Sequence, residues 1–312
     1  MVPALVLTAG LATRLRPLSF VRAKAALPVA GVPLVQRILR SLAASGVTDA
    51  VLNLHHLPHT LTALVGDGTD LGVRVRYSWE VPVLGSAGGP RRAIPLLAST
   101  FLIVNGDTLT DADVGALVAD HRQSGALVTM AVVPHAEPDK YSGLSVDREG
   151  AVTGFAPRGS DDNRYHFIGV QVAEAEAFAS VPANVPFNTA ALYTSLIASR
   201  PGSIRAFETR AEFFDIGTPA DYLDTSLRIG DREGHDLARH PGAHIDPSAR
   251  IERSVLWDDV VVEADTMLRE CIVTDGVRIP ADTSWHGVTI RVADGEIAPG
   301  ERRIEDLLIA SL

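Results

Sequence analysis

Short apolar runs alternate along this chain with segments whose apolar residues recur at helical spacing, and that alternation restricts the fold more than any other feature. Ala4–Thr8, Ala50–Leu54, Phe101–Val104 and Leu127–Val133 are apolar runs of strand length. Leu34, Val35, Ile38, Leu39 and Leu42 predict an amphipathic helix over Pro33–Ala44, closed near Gly46. Leu57–Val65 reads as a second helix, and Thr110 or Asp111 as the cap of a third running to about Gln123. Val73, Val75 and Tyr77 alternate with Arg74, Arg76 and Ser78, the pattern of a half-exposed strand. Strand, helix, strand in this order predicts an α/β fold with a parallel sheet covered on both faces.

Beyond that region the texture changes. Leu144–Val146, Val152–Phe155 and Phe167–Val172 are short strands between polar turns, and Gly143–Val172 is expected to form an inserted lobe over the sheet's ligand-bearing edge. Arg205–Thr209 is a strand, and Thr218-Pro219-Ala220-Asp221 has the capping-box form that opens a helix to about Ile229. Gly230–Gly242 is polar and rich in charge. After it Ile245 and Ile251, Val262 and Leu268, and Val273 and Ile279 each stand six apart, which predicts a parallel β-helix. Ala298–Leu312 resumes a helical pattern through Ile304, Leu307 and Leu308. The expected division is a large domain over 1–232, a linker over 233–242, the repeat over 243–290 and a tail with a short helix over 291–312.

Bulk properties remove several function classes. A net charge of −10 argues against binding nucleic acid through a basic surface, though a small phosphate site needs only a few local cations. The single cysteine, Cys271, rules out an intramolecular disulfide and makes a cysteine-based zinc cluster implausible; it reads as a small core residue of the repeat. No stretch approaches the length of a membrane span, and Met1-Val2-Pro3-Ala4 enters a strand without a signal core, so no membrane association and a cytoplasmic location are expected.

Four stretches can carry chemistry. The first strand leads into Ala9-Gly10-Leu11-Ala12-Thr13-Arg14, with Arg16, Arg22 and Lys24 following. Backbone amides around Gly10 with Arg14 and Lys24 can hold a polyphosphate; the plainer alternative is a turn glycine beside solvated charges. Leu84-Gly85-Ser86-Ala87-Gly88-Gly89 is a glycine-rich loop, able to let a base and ribose approach the backbone or simply needing permissive dihedrals. Asp107 and Asp215 each follow a strand, where a carboxylate can serve Mg²⁺ or cap a turn. His55, His56 and His59 lack a metalloenzyme spacing and read as structural.

Taken in order, these stretches resemble the sugar-phosphate nucleotidylyltransferases, which join a nucleoside triphosphate to a sugar 1-phosphate and release pyrophosphate. Gly10–Leu18 is similar to that family's G-x-G-T-R-L-x-P-L signature, with Lys24 after it; Leu84–Gly88 is similar to its L-G-T-A-G loop; Asn105-Gly106-Asp107 and Asp215-Ile216-Gly217-Thr218-Pro219 resemble its two metal-aspartate stretches. Ala12 stands at the signature's second glycine, and Ala23 and Ala25 flank Lys24 where prolines are usual. Phe155-Ala156-Pro157-Arg158-Gly159 matches the F-x-E-K-P stretch in place only.

The resemblance implies a Rossmann-like mixed, mostly parallel sheet with helices on both faces and a small C-terminal left-handed parallel β-helix. It implies Arg14 and Lys24 as catalytic residues, and nucleotide contacts from Ala9, Gly10, Leu11, Ala12, Thr13, Arg14, Leu84, Gly85, Ser86, Ala87 and Gly88. Sugar-phosphate contacts fall to Gly143, Arg158 and Gly169, and Mg²⁺ to Asp107 and Asp215. The expected substrates are GTP and mannose 1-phosphate, from the likeness of LGSAGGP to guanylyltransferases. The alternatives are uridylyl or another nucleotidyl transfer to a different sugar 1-phosphate, the former from Asn53–Leu57, and a non-catalytic nucleotide-sugar-binding homologue. The β-helix suggests homo-oligomers.

Overall fold

The computed structural model describes residues 1–160, 164–235 and 242–312, so residues 236–241 of the expected linker lie outside the described residues. The chain forms two compact units: Met1–Gly10 with Val35–Phe214, and Leu11–Leu34 with Asp215–Leu312. No helix among the described residues is long and apolar enough to cross a membrane.

The first unit is built on a mixed sheet. Ala4–Leu7 lies between Thr100–Asn105 and Asp49–Leu54, and Arg74–Trp79 is the outer neighbour of Asp49–Leu54; all these pairs are parallel. The inner three are the mostly apolar runs that two-sided burial requires, and the alternating Arg74–Trp79 stands at the edge, half-exposed. Thr100–Asn105 then pairs antiparallel with residues 170–174 of the long strand Tyr165–Glu174. Val128–Pro134 runs along the other side of that long strand and pairs in parallel with Ile204–Glu208. Leu5, Phe101, Ile103, Val128, Phe178 and Ile204 are buried in the core that results.

Three expectations change here. The strands Gly143–Val146 and Val152–Ala156 do not form a lobe over the sheet; they extend it, joined through Tyr165. Their short length and polar turns mark an exposed sheet margin, which sequence alone does not separate from an insertion. Asp113, not Thr110 or Asp111, caps the helix Val114–Ser124, its Oδ1 accepting from the Ala116 N–H at 2.9 Å. The glycine-rich stretch is no loop: Gly85–Ala93 is a helix, and glycine is chosen in it for close packing.

In the second unit the C-terminal strands form three parallel ladders visited in turn. Ile245, Val262 and Ile279 align in one; Ile251, Leu268 and Trp285 in the next; Leu256, Val273 and Ile290 in the third. Residues on one ladder are 17 apart, the spacing of the Cys271–Ser254 hydrogen bond. The six-residue period is therefore the step between faces, not the turn of the coil: Ile245 to Ile251 and Leu256 to Val262 are six apart, and Ile251 to Leu256 five. Arg253 and Glu270, and Asp265 and Asp282, are corner residues in the left-handed region, each pair one turn apart. Cys271 is fully buried in the coil's core, where burial pushes its thiol pKa up.

The tail is a correction. Arg302–Ile304 and Leu307–Ser311 form an antiparallel hairpin rather than a helix, and Leu307–Ser311 pairs with Val288–Val292. The last strand of the third ladder offers unpaired backbone groups, and hairpin pairing satisfies them where a docked helix would not. Leu268, fully buried between the ladder strands above and below it, tests the coil's core. Leu268→Ala should cost about 2–5 kcal/mol in urea denaturation, as for other large-to-small core changes; a loss within experimental error would show that this ladder does not carry the coil.

Candidate active site

The first strand ends at Leu7, and the chain leaves the sheet through Thr8, Ala9 and Gly10. Asn53, near the end of the next strand, holds this exit. Its Oδ1 accepts from the Thr8 N–H at 2.6 Å and from the Ala9 N–H at 3.3 Å, while the Thr8 hydroxyl donates to the Asn53 carbonyl. Its Nδ2 donates to Glu80 Oε1 at 2.8 Å, and Glu80 Oε2 accepts from the Leu84 N–H at 2.7 Å. Asn53 is 3% exposed and Glu80 1%. A buried carboxylate is tolerable only with such donors, and the N-terminus of helix Gly85–Ala93 adds its dipole. His55 Nδ1 lies 2.9 Å from the Glu80 carbonyl, so that histidine is part of the scaffold.

The helix glycines are set by contact. A Cβ on Gly89 would lie 2.6 Å from Glu80 Oε1, and one on Gly88 would lie 2.8 Å from the Val185 carbonyl. The Ala87 and Gly88 amides donate to the Phe187 carbonyl at 3.0 and 3.1 Å. Leu84, Ala87 and Gly88 are buried, whereas Gly85 is exposed and Ser86 half-buried with its hydroxyl 3.0 Å from that of Thr189. Gly10 is the opposite case. A Cβ there would meet no atom within 4 Å, so packing does not call for glycine at this position.

Asp107 leaves the sheet beside that first exit. The Gly106 N–H donates to the Leu7 carbonyl at 3.0 Å, and a Cβ on Gly106 would sit 2.4 Å from that oxygen, so only glycine lets the two strand ends close up. The Thr108 hydroxyl donates to Asp107 Oδ1 at 3.1 Å. Gly169, with φ +83°, packs a hydrogen where a Cβ would be 3.1 Å from Thr108. It sits at the register shift where Tyr165–Glu174 changes neighbours. Gly143 is buried at the start of its strand, and Arg158 is exposed on the turn after Val152–Ala156. Tyr141, His166 and Phe213 stack nearby, with centroids 4.4 and 5.0 Å from the His166 ring, and burial lowers the His166 pKa, favouring the neutral ring.

The second unit holds the cationic part of the signature. Leu11, Thr13 and Arg14 are exposed. Ala12 adopts φ +49°, ψ +43°, the left-handed region that favours glycine, and its carbonyl accepts from Leu15 N–H and the Ser19 hydroxyl. Lys24 is half-buried and opens a single 3₁₀ turn. Ala23, ahead of it, has φ −56°, the value a proline ring would impose, so the loop keeps that backbone without the ring. Asp215 ends the strand Phe213–Asp215, and Gly217 follows: a Cβ there would lie 3.2 Å from Asp215 Oδ2, 3.2 Å from Asp221 Oδ2 and 3.6 Å from an Arg14 guanidinium nitrogen. Arg14 and Asp215 thus approach one glycine. Thr218 caps helix Pro219–Glu233 by accepting from the Asp221 N–H.

These residues have the chemistry of a polyphosphate site with a hard cation. Among the described residues no three or more His, Cys, Asp or Glu side chains gather to hold a metal. Mg²⁺ asks for only one or two carboxylates when substrate phosphates complete its shell, and Asp107 in the first unit and Asp215 in the second are each half-buried carboxylates. Residues 3–232 match the nucleotidyl transferase family.

The chain belongs to that family.

The transferase is 29% identical to the mannose-1-phosphate guanylyltransferase of Mycobacterium tuberculosis, over 90% of this chain and 82% of that protein. It is 26% identical to the UTP–glucose-1-phosphate uridylyltransferase of Synechocystis, over 88% of this chain and 76% of that protein. Among solved structures, HddC from Yersinia pseudotuberculosis superposes with a TM-score of 0.65 at 23% identity, covering 73% of this chain and 100% of that one. The chain is thus a nucleotidyltransferase acting on a sugar 1-phosphate.

Sequence reasoning missed Glu80 and the task of Asn53. A signal for Asn53 exists: it is the polar residue in an otherwise apolar run, and a buried polar group must have partners. Glu80 carries no such mark, because it lies beyond the alternating strand Arg74–Trp79. Gly10 and Ala12 differ in what they need, and one pair of variants separates them. Gly10→Ala should leave stability within about 0.5 kcal/mol and raise the KM for triphosphate about tenfold or more. Ala12→Gly should gain up to about 1 kcal/mol, left-handed strain removed less the entropy of a freer unfolded chain. Thermal or urea unfolding with steady-state kinetics reads both, and a destabilised Gly10→Ala protein would contradict the first.

Proposed function

We propose that the transferase moves a guanylyl group from GTP to mannose 1-phosphate, releasing pyrophosphate. The observation that carries this reading is the similarity to a mannose-1-phosphate guanylyltransferase over 90% of the chain, joined to the LGSAGGP stretch at Leu84–Pro90. A phosphate oxygen of the sugar 1-phosphate attacks the α-phosphorus, a new P–O bond forms, and the bond to the bridging oxygen of the β-phosphate breaks. The attacking group is already an anion, so no protein nucleophile is needed. The protein's work is positioning and charge stabilisation.

Each residue takes a part in that scheme. Ala9–Thr13 offer amides to the triphosphate and Arg14 its guanidinium. Lys24 approaches the α-phosphate. Leu84–Gly88 receive the base and ribose. Arg158 neutralises the sugar phosphate, and Gly143 and Gly169 let backbone approach the sugar. Asp107 and Asp215 are the carboxylates that would hold Mg²⁺, which would supply charge to offset that developing on the phosphates. Support for these roles comes from the ordered motifs, from the space beside Gly10 and from the approach of Arg14 and Asp215 to Gly217.

A second reading, uridylyl transfer to glucose 1-phosphate, is favoured by the likeness to the Synechocystis enzyme. Incubation with each common triphosphate and a panel of sugar 1-phosphates, reading pyrophosphate, decides between them. GTP with mannose 1-phosphate should give the highest kcat/KM, and a higher value for UTP with glucose 1-phosphate would overturn the assignment. Asp107→Asn should abolish most Mg²⁺-dependent turnover in a folded protein. Lys24→Ala should lower kcat more than it raises the KM for triphosphate, and the reverse split would remove Lys24 from the reacting centre.

A further inference from the structure

The segment that carries Lys24 is built of short helical turns, Thr13–Leu15, Leu18–Val21 and Lys24–Ala26, and side chains of the second unit fasten it. Phe20 lies between two guanidinium groups, with the Arg16 carbon 4.9 Å and the Arg291 carbon 5.2 Å from its ring centroid. Arg291 belongs to the coil and is fixed there: its side chain is 3% exposed, and it makes a paired contact to Glu301 at 2.7 and 2.7 Å. Downstream, the Pro28 carbonyl accepts from the Tyr222 hydroxyl, which in turn accepts from Trp257 Nε1 at 2.8 Å.

The central fastening is Arg22. Its Nε and Nη2 donate to the two oxygens of Asp275, each at 2.7 Å, and Nη2 also donates to Asp258. The side chain is only 12% exposed, and its guanidinium carbon lies 5.3 Å from the centroid of the buried Trp257 ring. Asp258 and Asp275 stand 17 residues apart, the same corner of two successive turns, with the Asp258 N–H donating to Asp275 Oδ1 at 3.2 Å. Carboxylates stacked at neighbouring strand spacing repel one another. The coil's own repetition thus builds a two-carboxylate seat, and a planar fork fills it better than a point charge.

We infer that the C-terminal coil is a working part of the nucleotide site, because Asp258 and Asp275 hold Arg22 and thereby position the Thr13–Leu27 segment with its Arg14 and Lys24. Arg22 is a positioning residue; Lys24, two residues on, has no more than about 7 Å of chain between itself and that anchor. The inference rests on the nucleotidyl-transfer reading for the meaning of Lys24, while the anchoring is a property of the fold.

The test uses the full chain. Arg22→Lys and Asp275→Asn are compared with Arg278→Ala, which removes an exposed pair with Glu263 on the coil surface. In the first two, amide exchange in peptides covering Thr13–Leu27 should quicken by about tenfold or more while coil peptides covering Val255–Leu256 and Ile272–Val273 keep their protection. Their kcat should fall by about tenfold or more with a smaller change in the KM for sugar phosphate, and Asp275→Glu should restore part of it. Arg278→Ala should match the unaltered protein in both readouts. Unchanged loop exchange in both variants, or faster exchange with unchanged turnover, overturns the inference. If the unaltered protein turns over no pair of substrates, the reaction is refuted, and the exchange result decides the anchoring by itself. Should Asp275→Asn fail to fold, Arg22→Lys, which keeps the charge and loses the fork, decides it.

Discussion

One buried carboxamide sets much of the first unit. Asn53 uses its oxygen to receive two amides from the first strand's exit and its nitrogen to reach Glu80, which then receives the amide that begins the glycine-rich helix. Three strand ends and one helix start are thereby fixed to each other by groups that have no water to turn to. Losing any partner would leave a buried donor or carboxylate unmatched, at a cost of about 1–3 kcal/mol or more. The arrangement also explains Gly89, whose missing side chain leaves room for both Asn53 and Glu80. The network thus fixes the backbone of the strand's exit at Thr8 and Ala9.

The remaining half of the signature is supported differently. Leu11–Leu34 folds with residues beyond Asp215, so its partners lie some two hundred positions away in sequence, as the Tyr222–Pro28 separation of 194 shows. Buried apolar residues such as Leu15, Leu18 and Leu27, a long-range ion pair, an aromatic ring between two guanidinium groups and a tyrosine relay steady it. Thr8–Gly10 follow directly from a central strand, whereas Arg14 and Lys24 lie on short turns held by long-range side-chain contacts.

The parallel core and the order of strands and helices were legible in the sequence, because burial on both faces leaves apolar runs, and the family was legible in the order of its glycine-rich and cationic stretches. Where reading failed, a local pattern had two physical outcomes. Ile304, Leu307 and Leu308 satisfy a helical period, yet the open third ladder takes them as a hairpin. Leu84–Gly89 has a loop's composition, yet crowding by Phe187 and Glu80 makes those glycines a helix. Ala12 shows the converse: the residue type departs from the signature, and the backbone keeps the left-handed turn that the signature glycine serves. Arg22 looked like one more solvated charge, because nothing local announces a partner more than two hundred residues later.

The coil's hairpin has a consequence for how such chains can change length. Each 17-residue turn brings its own three ladder strands, its own inward apolar residues and its own left-handed corners. A whole turn inserted ahead of Val288–Val292 would find the same neighbours above and below, and the hairpin would still close the third ladder. An odd insertion within a ladder strand would instead turn the later side chains of that strand to the wrong face. Length in this part of the molecule therefore grows most readily by whole turns, and a duplicated turn placed after Asp275 would leave the seat of Arg22 unaltered.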